Sequence, residues 1–379
     1  MRIHSVEGVS FGSAIIDSHM HSGHWKRTQE SKELLNFDND FMDRFVKSPL
    51  EVSVQGVKQK DSVEKAIISN LDCFVEDVLK DEMTGNKAML DFCEKNRKFF
   101  ALAACQPSKT NGNATNINRL ISENPGKFVG LKFHPRNFKT PADSDVYRAY
   151  MYVAKKNNLP CVFHSDVSID ETGNVADNIS SPEAIYRAAK VYPDVPVVMA
   201  HMGAGDAKSH QNAIEVLLKS IDNNDAKLYV DLSWVDWGAN GLSSSEQPSV
   251  VTLIKELQKR NATDRILFGT DAPLGCFGEA LRENYSPVQA YEKSVGDLKT
   301  VIKQNFNDKA DELIEKIFYK NADELFFQKQ WAQVKEKNIK SISTLKVVSF
   351  IGLALAALGV LGLLADKMSP SKEEGLINK

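Results

Sequence analysis

The sequence predicts an α/β fold, a (β/α)8 TIM barrel followed by a hydrophobic transmembrane helix near the C-terminal end. Three observations predict it. Eight short runs that are apolar throughout alternate with amphipathic helical segments, histidines cluster at the carboxyl ends of those runs, and residues 347–365 carry no charge. Strands apolar on both faces, separated by helices, are the pattern of a parallel sheet covered on the outside. A doubly wound open sheet is the main rival.

The eight runs are SAIIDSH (13–19), KAIISN (65–70), FFALAACQ (99–106), FVGLKFHP (128–135), LPCVFHS (159–165), VPVVMAHMG (195–203), KLYVDLS (227–233) and RILFGTD (265–271). Between them, SDVYRAYMYVAKKNN, SPEAIYRAAKVY, QNAIEVLLKSI and SVVTLIKELQKRN place apolar residues at three- and four-residue spacing, the period of a helix with one buried face. Ser181 followed by Pro182 reads as an N-cap and first helical position. The first interval is longer than the rest. Residues 22–63 form a charged and aromatic insertion after the first strand, read as a lid, a substrate wall or a structural insertion.

Composition narrows the function. The chain has 379 residues, 42% hydrophobic and 26% charged, with a formal net charge of −3. That balance argues against a nucleic-acid binder relying on a basic face. Cys73, Cys93, Cys105, Cys161 and Cys276 are scattered and odd in number, as expected of buried thiols in a reducing compartment. The opening MRIHSVEGVSFGS lacks the apolar stretch of a secretory signal.

The strand ends carry the chemistry. His19 and His21 are two apart on a strand, so both imidazoles point to one side. Lys132 and His134 end the fourth run, His164 the fifth, His201 the sixth and Asp271 the eighth. Five of the eight histidines thus sit where barrel strands converge. Taken alone, each has a structural reading as a satisfied histidine or a helix cap. Together they point to a divalent metal, most simply zinc, with manganese or iron also suited to imidazole and carboxylate ligands.

In order, IIDSHMH, FVGLKFHP, CVFHSD, VVMAHMG, ILFGTDAP and the closing IEKIFYKNADELF (314–326) resemble the amidohydrolase superfamily, and in particular its amidohydrolase-related branch of TIM-barrel metal-dependent hydrolases. The resemblance covers roughly residues 13–327. It implies that His19, His21, His164 and Asp271 bind one metal, with His201 polarising substrate or water. In two-metal members a carbamylated lysine, here Lys132, bridges the ions and the sixth-strand histidine joins them; the one-metal form is favoured. His134, Arg136, Asp166 and Ser233 are pocket candidates. The implied activity is hydrolysis of a small-molecule amide, ester or lactone by metal-activated water, with Asp271 as proton carrier and Asp271, His201 and Lys132 as the catalytic set. The nearest alternative on the same site is nonoxidative decarboxylation of an unsaturated or aromatic acid. An inactive membrane-tethered scaffold is the alternative from another class. A deoxyribonuclease of the TatD type is disfavoured, because its glutamate-bearing fourth-strand motif is replaced by GLKFHP.

The C-terminal stretch VVSFIGLALAALGVLGLLA (347–365) would span roughly 28 Å as a helix, close to a bilayer's apolar thickness of about 30 Å. It is expected to be a single-pass tail anchor. Lys335, Lys337, Lys340 and Lys346 precede it, while Lys367, Lys372 and Lys379 follow, a bias that places the barrel in the cytoplasm. The organisation expected is a barrel over 1–334, a polar linker over 335–346, the span over 347–365 and a short polar tail over 366–379. The expected partners are a small-molecule substrate and the membrane, with no nucleic acid; a homo-oligomer stays open.

Overall fold

Strands that are buried on both faces need neighbours on both edges as well, and the chain supplies them by closing its sheet on itself. The computed structural model describes residues 10–328 except 27–33, 48, 76–78, 108–112, 170–174, 205–206, 236–248 and 277–285. In chain order the strands are β1 (Ser10–Lys26), β2 (Leu34–Phe37), β3 (Leu50–Val54), β4 (Val57–Asn70), β5 (Phe99–Ala104), β6 (Phe128–Phe133), β7 (Cys161–Phe163), β8 (Ser168–Ile169), β9 (Val175–Asp177), β10 (Pro196–Met199), β11 (Lys227–Asp231) and β12 (Ile266–Leu267). The helices are α1 (Asn39–Val46), α2 (Glu82–Lys95), α3 (Ala114–Glu123), α4 (Arg148–Asn157), α5 (Pro182–Val191), α6 (Ala207–Asn223), α7 (Ser249–Lys259), α8 (Pro287–Phe306) and α9 (Ala310–Glu315).

β1, β4, β5, β6, β7, β10, β11 and β12 pair in parallel in that order, matching the eight predicted runs one for one. The seam closes beyond β12. Ser18 N donates to Phe268 O at 3.0 Å, Asp271 N to His19 O at 2.8 Å and His21 N to Ala272 O at 2.8 Å. The result is a TIM-barrel-like α/β fold with a mostly parallel sheet.

Two cores flank that sheet. Ile16, Ile67, Leu102, Val129, Val162, Val198, Tyr229 and Leu267, one from each barrel strand, cluster with Leu325, Phe326 and Phe327. These last residues end the helical run that continues from α9, so the run plugs the barrel end opposite the strand carboxyl ends. Outside, the sheet packs against helix faces such as Val250, Val251, Leu253, Ile254 and Leu257 of α7. α5 begins as its sequence predicts, with Ser181 Oγ accepting from Ala184 N at 3.2 Å and Pro182 in the first turn.

The insertion differs from a simple loop. β4 begins at Val57, ahead of the expected Lys65, because its first half, VKQKDSV, is mostly polar, with Val57, Lys58 and Lys60 exposed, and so lacks the apolar run that marks a strand in sequence. It forms a hairpin with β3 through Gln55 and Gly56, whose φ values of 50° and 79° give the two-residue turn that suits strand twist. β3 is held by α8, where Gly296 passes so close that a Cβ would lie 2.5 Å from Ser53 O. That half of the insertion is structural. β2 pairs antiparallel with the far end of β1, and Trp25 at that end faces the site.

Residues 1–330 form one compact unit. Among the described residues no helix is long and apolar enough to cross a membrane. The expected linker, span and tail at 335–379 lie outside them.

Candidate metal centre

The convergence expected of the strand ends begins with β1. His19 is fully buried, with Nδ1 2.9 Å from Asp231 Oδ2 and Nε2 2.8 Å from Lys132 Nζ. His21 is anchored by Ser69 Oγ, 2.9 Å from its Nδ1. Its Nε2 lies 2.8 Å from Asp271 Oδ1, and the same oxygen is 3.3 Å from His19 Nε2. Asp17, just ahead of this pair in the run IIDSH, ties β1 to the eighth strand: its Oδ1 accepts from His19 N at 3.0 Å and its Oδ2 from Thr270 Oγ1 at 2.6 Å. Burial pushes the Asp17 carboxyl up to about 7, against the pull of these hydrogen bonds.

Asp271 and His201 both sit in the left-handed backbone region, with φ of 57° and 62°. Non-glycine residues are held there only where the surroundings over-determine them. Asp271 N is bonded to His19 O at 2.8 Å, and Asp271 Oδ2 accepts the indole N–H of Trp234. His201 N donates to Asp231 Oδ1 at 2.9 Å, its Nδ1 lies 2.8 Å from Ser233 Oγ, and its Nε2 is 3.1 Å from His164 Nδ1.

Electrostatics follow from this burial. Desolvation works to raise the Asp271 carboxyl, but His21, His19 and His201 outweigh it and hold it well below the usual carboxylate range. Asp231 is likewise held low, with His19 foremost among the groups opposing its burial. Burial lowers His19 and His201, and it pushes the Lys132 ammonium down to about 8 in spite of Asp271 and Asp231.

The ligand atoms of His19, His201 and Asp271 all lie within 4.8 Å of one another. Asp271 Oδ1 is buried and accepts no hydrogen bond, although two imidazole Nε2 atoms face it. A carboxylate oxygen removed from water without a donor is costly, and a cation among imidazole and carboxylate ligands satisfies it. The residues present therefore fit a divalent metal.

Of the predicted site residues, His19, His21, Lys132, His201 and Asp271 meet directly. His164 adjoins them through His201, and it stacks on His134 with ring centroids 3.9 Å apart. Asp166 and Arg136 form an ion pair beside it, Arg136 Nη2 standing 2.9 Å from Asp166 Oδ1; the pair, with a His164 hydrogen bond, draws the Asp166 carboxyl down to about 2 against its burial. Ser233 lies behind His201. Sequence reasoning misses Asp231 and Trp234. Asp231 ends the seventh run, in YVDLS, so the strand-end rule that finds the others could have found it too. A cavity of about 450 Å³ opens over the cluster, walled by Trp25, Leu71, Phe74, Val75, Trp234 and Leu274 with His134, His164 and Lys132.

The sequence profile of the amidohydrolase family matches residues 16–328. No curated protein matches the chain. Among solved structures it is similar to a probable 2-pyrone-4,6-dicarboxylic acid hydrolase from Acinetobacter baumannii, with 14% identity, 82% of this chain and 98% of that one covered, and a TM-score of 0.51. It is similar also to a 2,6-dihydroxybenzoate decarboxylase from Rhizobium, with 13% identity, 84% and 99% covered, and a TM-score of 0.51. A third, described as amidohydrolase II, shares 13% identity over 83% of this chain and 100% of that one, at a TM-score of 0.51. At these identities the structural likeness establishes the fold.

Proposed function

We propose that this chain, which belongs to the amidohydrolase family, is a metal-dependent hydrolase of a small-molecule amide, ester or lactone. The family is one of enzymes dependent on divalent metals, and its solved relatives above include a hydrolase and a decarboxylase by description. The observation that carries the reading is Asp271 Oδ1, buried without a hydrogen bond and facing the Nε2 atoms of His19 and His21.

His19, His21, Asp271 and His201 would hold the ion, with His164 next to His201. A divalent ion there supplies Lewis acidity, lowering the pKa of water from about 15.7 towards 7. The other steps belong to side chains. Asp271 keeps its second oxygen, Oδ2, on the Trp234 indole N–H; released from that bond, Oδ2 takes the proton from water and delivers it to the leaving nitrogen or oxygen. His201 orients the scissile carbonyl. Lys132, freed from His19 Nε2, turns its ammonium to the cavity it lines and steadies the developing oxyanion. The aromatic and aliphatic walls exclude water around a flat apolar body.

Those same walls, with Lys132 as a cation at the cavity, favour a second reading, nonoxidative decarboxylation of an aromatic or unsaturated acid. Zinc is the metal proposed, with manganese or iron as the alternatives. We propose further that residues 347–365 span a membrane and tether the barrel on its cytoplasmic side. This rests on the absence of charge across the stretch and on the lysines before it.

The test is elemental analysis of the purified full chain beside the His19→Ala, His21→Ala double variant. One or two equivalents of divalent metal are expected in the first and a marked loss in the second. Equal metal in both removes the basis for the centre. Lactones, esters and amides offered alongside carboxylated aromatics then separate the two reactions by whether carbon dioxide is released.

A further inference from the structure

β11 ends in Asp231, and Ser233 follows it; both are buried and neither lines the cavity. Asp231 Oδ2 stands 2.9 Å from His19 Nδ1. Asp231 Oδ1 accepts from His201 N at 2.9 Å, from Ser233 N at 3.1 Å and from Ser233 Oγ at 2.5 Å. Ser233 Oγ lies in turn 2.8 Å from His201 Nδ1.

The hydrogens on this network can be counted. An ionised carboxylate only accepts, and a hydroxyl has one hydrogen to give. Two bare oxygens do not approach to 2.5 Å, so the Ser233 hydrogen lies on the contact to Asp231. Ser233 can then only accept from His201, whose Nδ1 must carry the hydrogen. The same carboxylate requires a hydrogen on His19 Nδ1. A neutral imidazole has a single N–H, which leaves Nε2 bare on both rings. The two rings belong to the group formed with Asp271, in which one ligand atom from each residue lies within 4.8 Å of the others, and His19 Nε2 stands 3.3 Å from Asp271 Oδ1.

We propose that Asp231 and Ser233 are positioning residues that lock His19 and His201 in the Nδ1–H tautomer, so that both Nε2 lone pairs point into the metal centre. The proposal deepens the reading of that centre as a divalent-metal site and rests on it. In the opposite tautomer each ring would aim a hydrogen at the place a cation must occupy. Partners of this kind set ligand orientation and basicity, and removing one typically weakens metal binding by about 10- to 100-fold.

Imidazole nitrogen NMR of the metal-free full chain, labelled with nitrogen-15 at histidine, reads the tautomers without any catalytic assay. His19 and His201 are expected as Nδ1–H forms. Ser233→Ala is expected to release that preference at His201. Asp231→Asn, by presenting an amide donor to His19 Nδ1, is expected to turn that ring to Nε2–H. In competition with a chelator for zinc alone, both variants should bind about 10- to 100-fold more weakly, and Ser233→Thr, which keeps the hydroxyl, should return to within about threefold of the parent.

Nε2–H rings in the parent chain, or parental tautomers and zinc affinity in both Ser233→Ala and Asp231→Asn, overturn the proposal. The parent spectrum alone decides the matter even if a variant fails to fold. A parent chain with the expected tautomers that takes up no divalent metal would instead overturn the metal reading and leave the tautomer lock standing.

Discussion

Replacing Lys132 by methionine should make the metal-free chain more stable at neutral pH while disabling its site. Lys132 is 1% exposed, and burial brings its ammonium from the ordinary 10.5 to about 8. At roughly 1.36 kcal/mol per pH unit, that gap corresponds to about 3 kcal/mol of destabilisation by the buried charge. Methionine keeps the apolar stem and gives up the contact to His19 Nε2 at 2.8 Å, a loss of about 1 kcal/mol. A net gain of about 2 kcal/mol at pH 7 is expected from the difference. The folded pKa is the lower one, so between pH 8 and 10.5 the unfolded chain holds a proton that the folded chain lacks. Stability of the parent therefore rises with pH through that window, the full penalty standing below about pH 8 and gone above about 10.5. Urea unfolding of parent and Lys132→Met, metal-free, at about pH 7 and about pH 11 measures this. A variant no more stable than the parent at neutral pH, or an advantage that persists at the alkaline one, refutes the reasoning.

Phe326→Ala empties the barrel floor, where Phe326 is wholly buried among one residue from each strand; a loss of about 3–5 kcal/mol is expected in denaturant melts, and a loss under about 1 kcal/mol would mean that the plug is not structural. Asp61→Asn leaves the buried Lys299 ammonium without its charged partner, Ser13 Oγ at 2.6 Å remaining its hydrogen-bond acceptor. Breaking such a pair costs about 3–5 kcal/mol, readable as a lowered urea midpoint, and an unchanged midpoint contradicts it. A chain ending at residue 340 should move from the membrane to the soluble fraction on cell fractionation; if it stays with the membrane, 347–365 is not the anchor.

The barrel was legible because parallel strands, covered on both faces, leave unbroken apolar runs that helical segments separate. β4 shows where this stops: its first half, VKQKDSV, is mostly polar and begins on an exposed hairpin, so only KAIISN carries a signal. The site was legible in part through position. Strand-end histidines and Asp271 can be counted without coordinates, and His19, His21, Lys132, His201 and Asp271 do meet directly. The order of contact could not be counted. His201, expected as a neighbour of the metal, groups with His19 and Asp271, whereas His164 reaches them through His201. Which ring comes first depends on the left-handed turn at His201, a conformation that MAHMG does not announce. Asp231 stands at a strand end within reach of the same count, although its contact to His19, 212 residues away, is not; Trp234 escapes because nothing local marks an indole that reaches Asp271.

The seam between β1 and the eighth strand runs through the candidate metal centre itself. Asp17 holds Thr270, and the Asp271 amide is bonded to the His19 carbonyl. A chain emerging vectorially from the ribosome offers His19 and His21 early, yet it can present no finished cage until Asp271 has been synthesised and folded back across more than half its length. Partly made or truncated polypeptide therefore lacks the complete set of side chains, and on the proposed metal reading the full cage would exist only once the ring has shut.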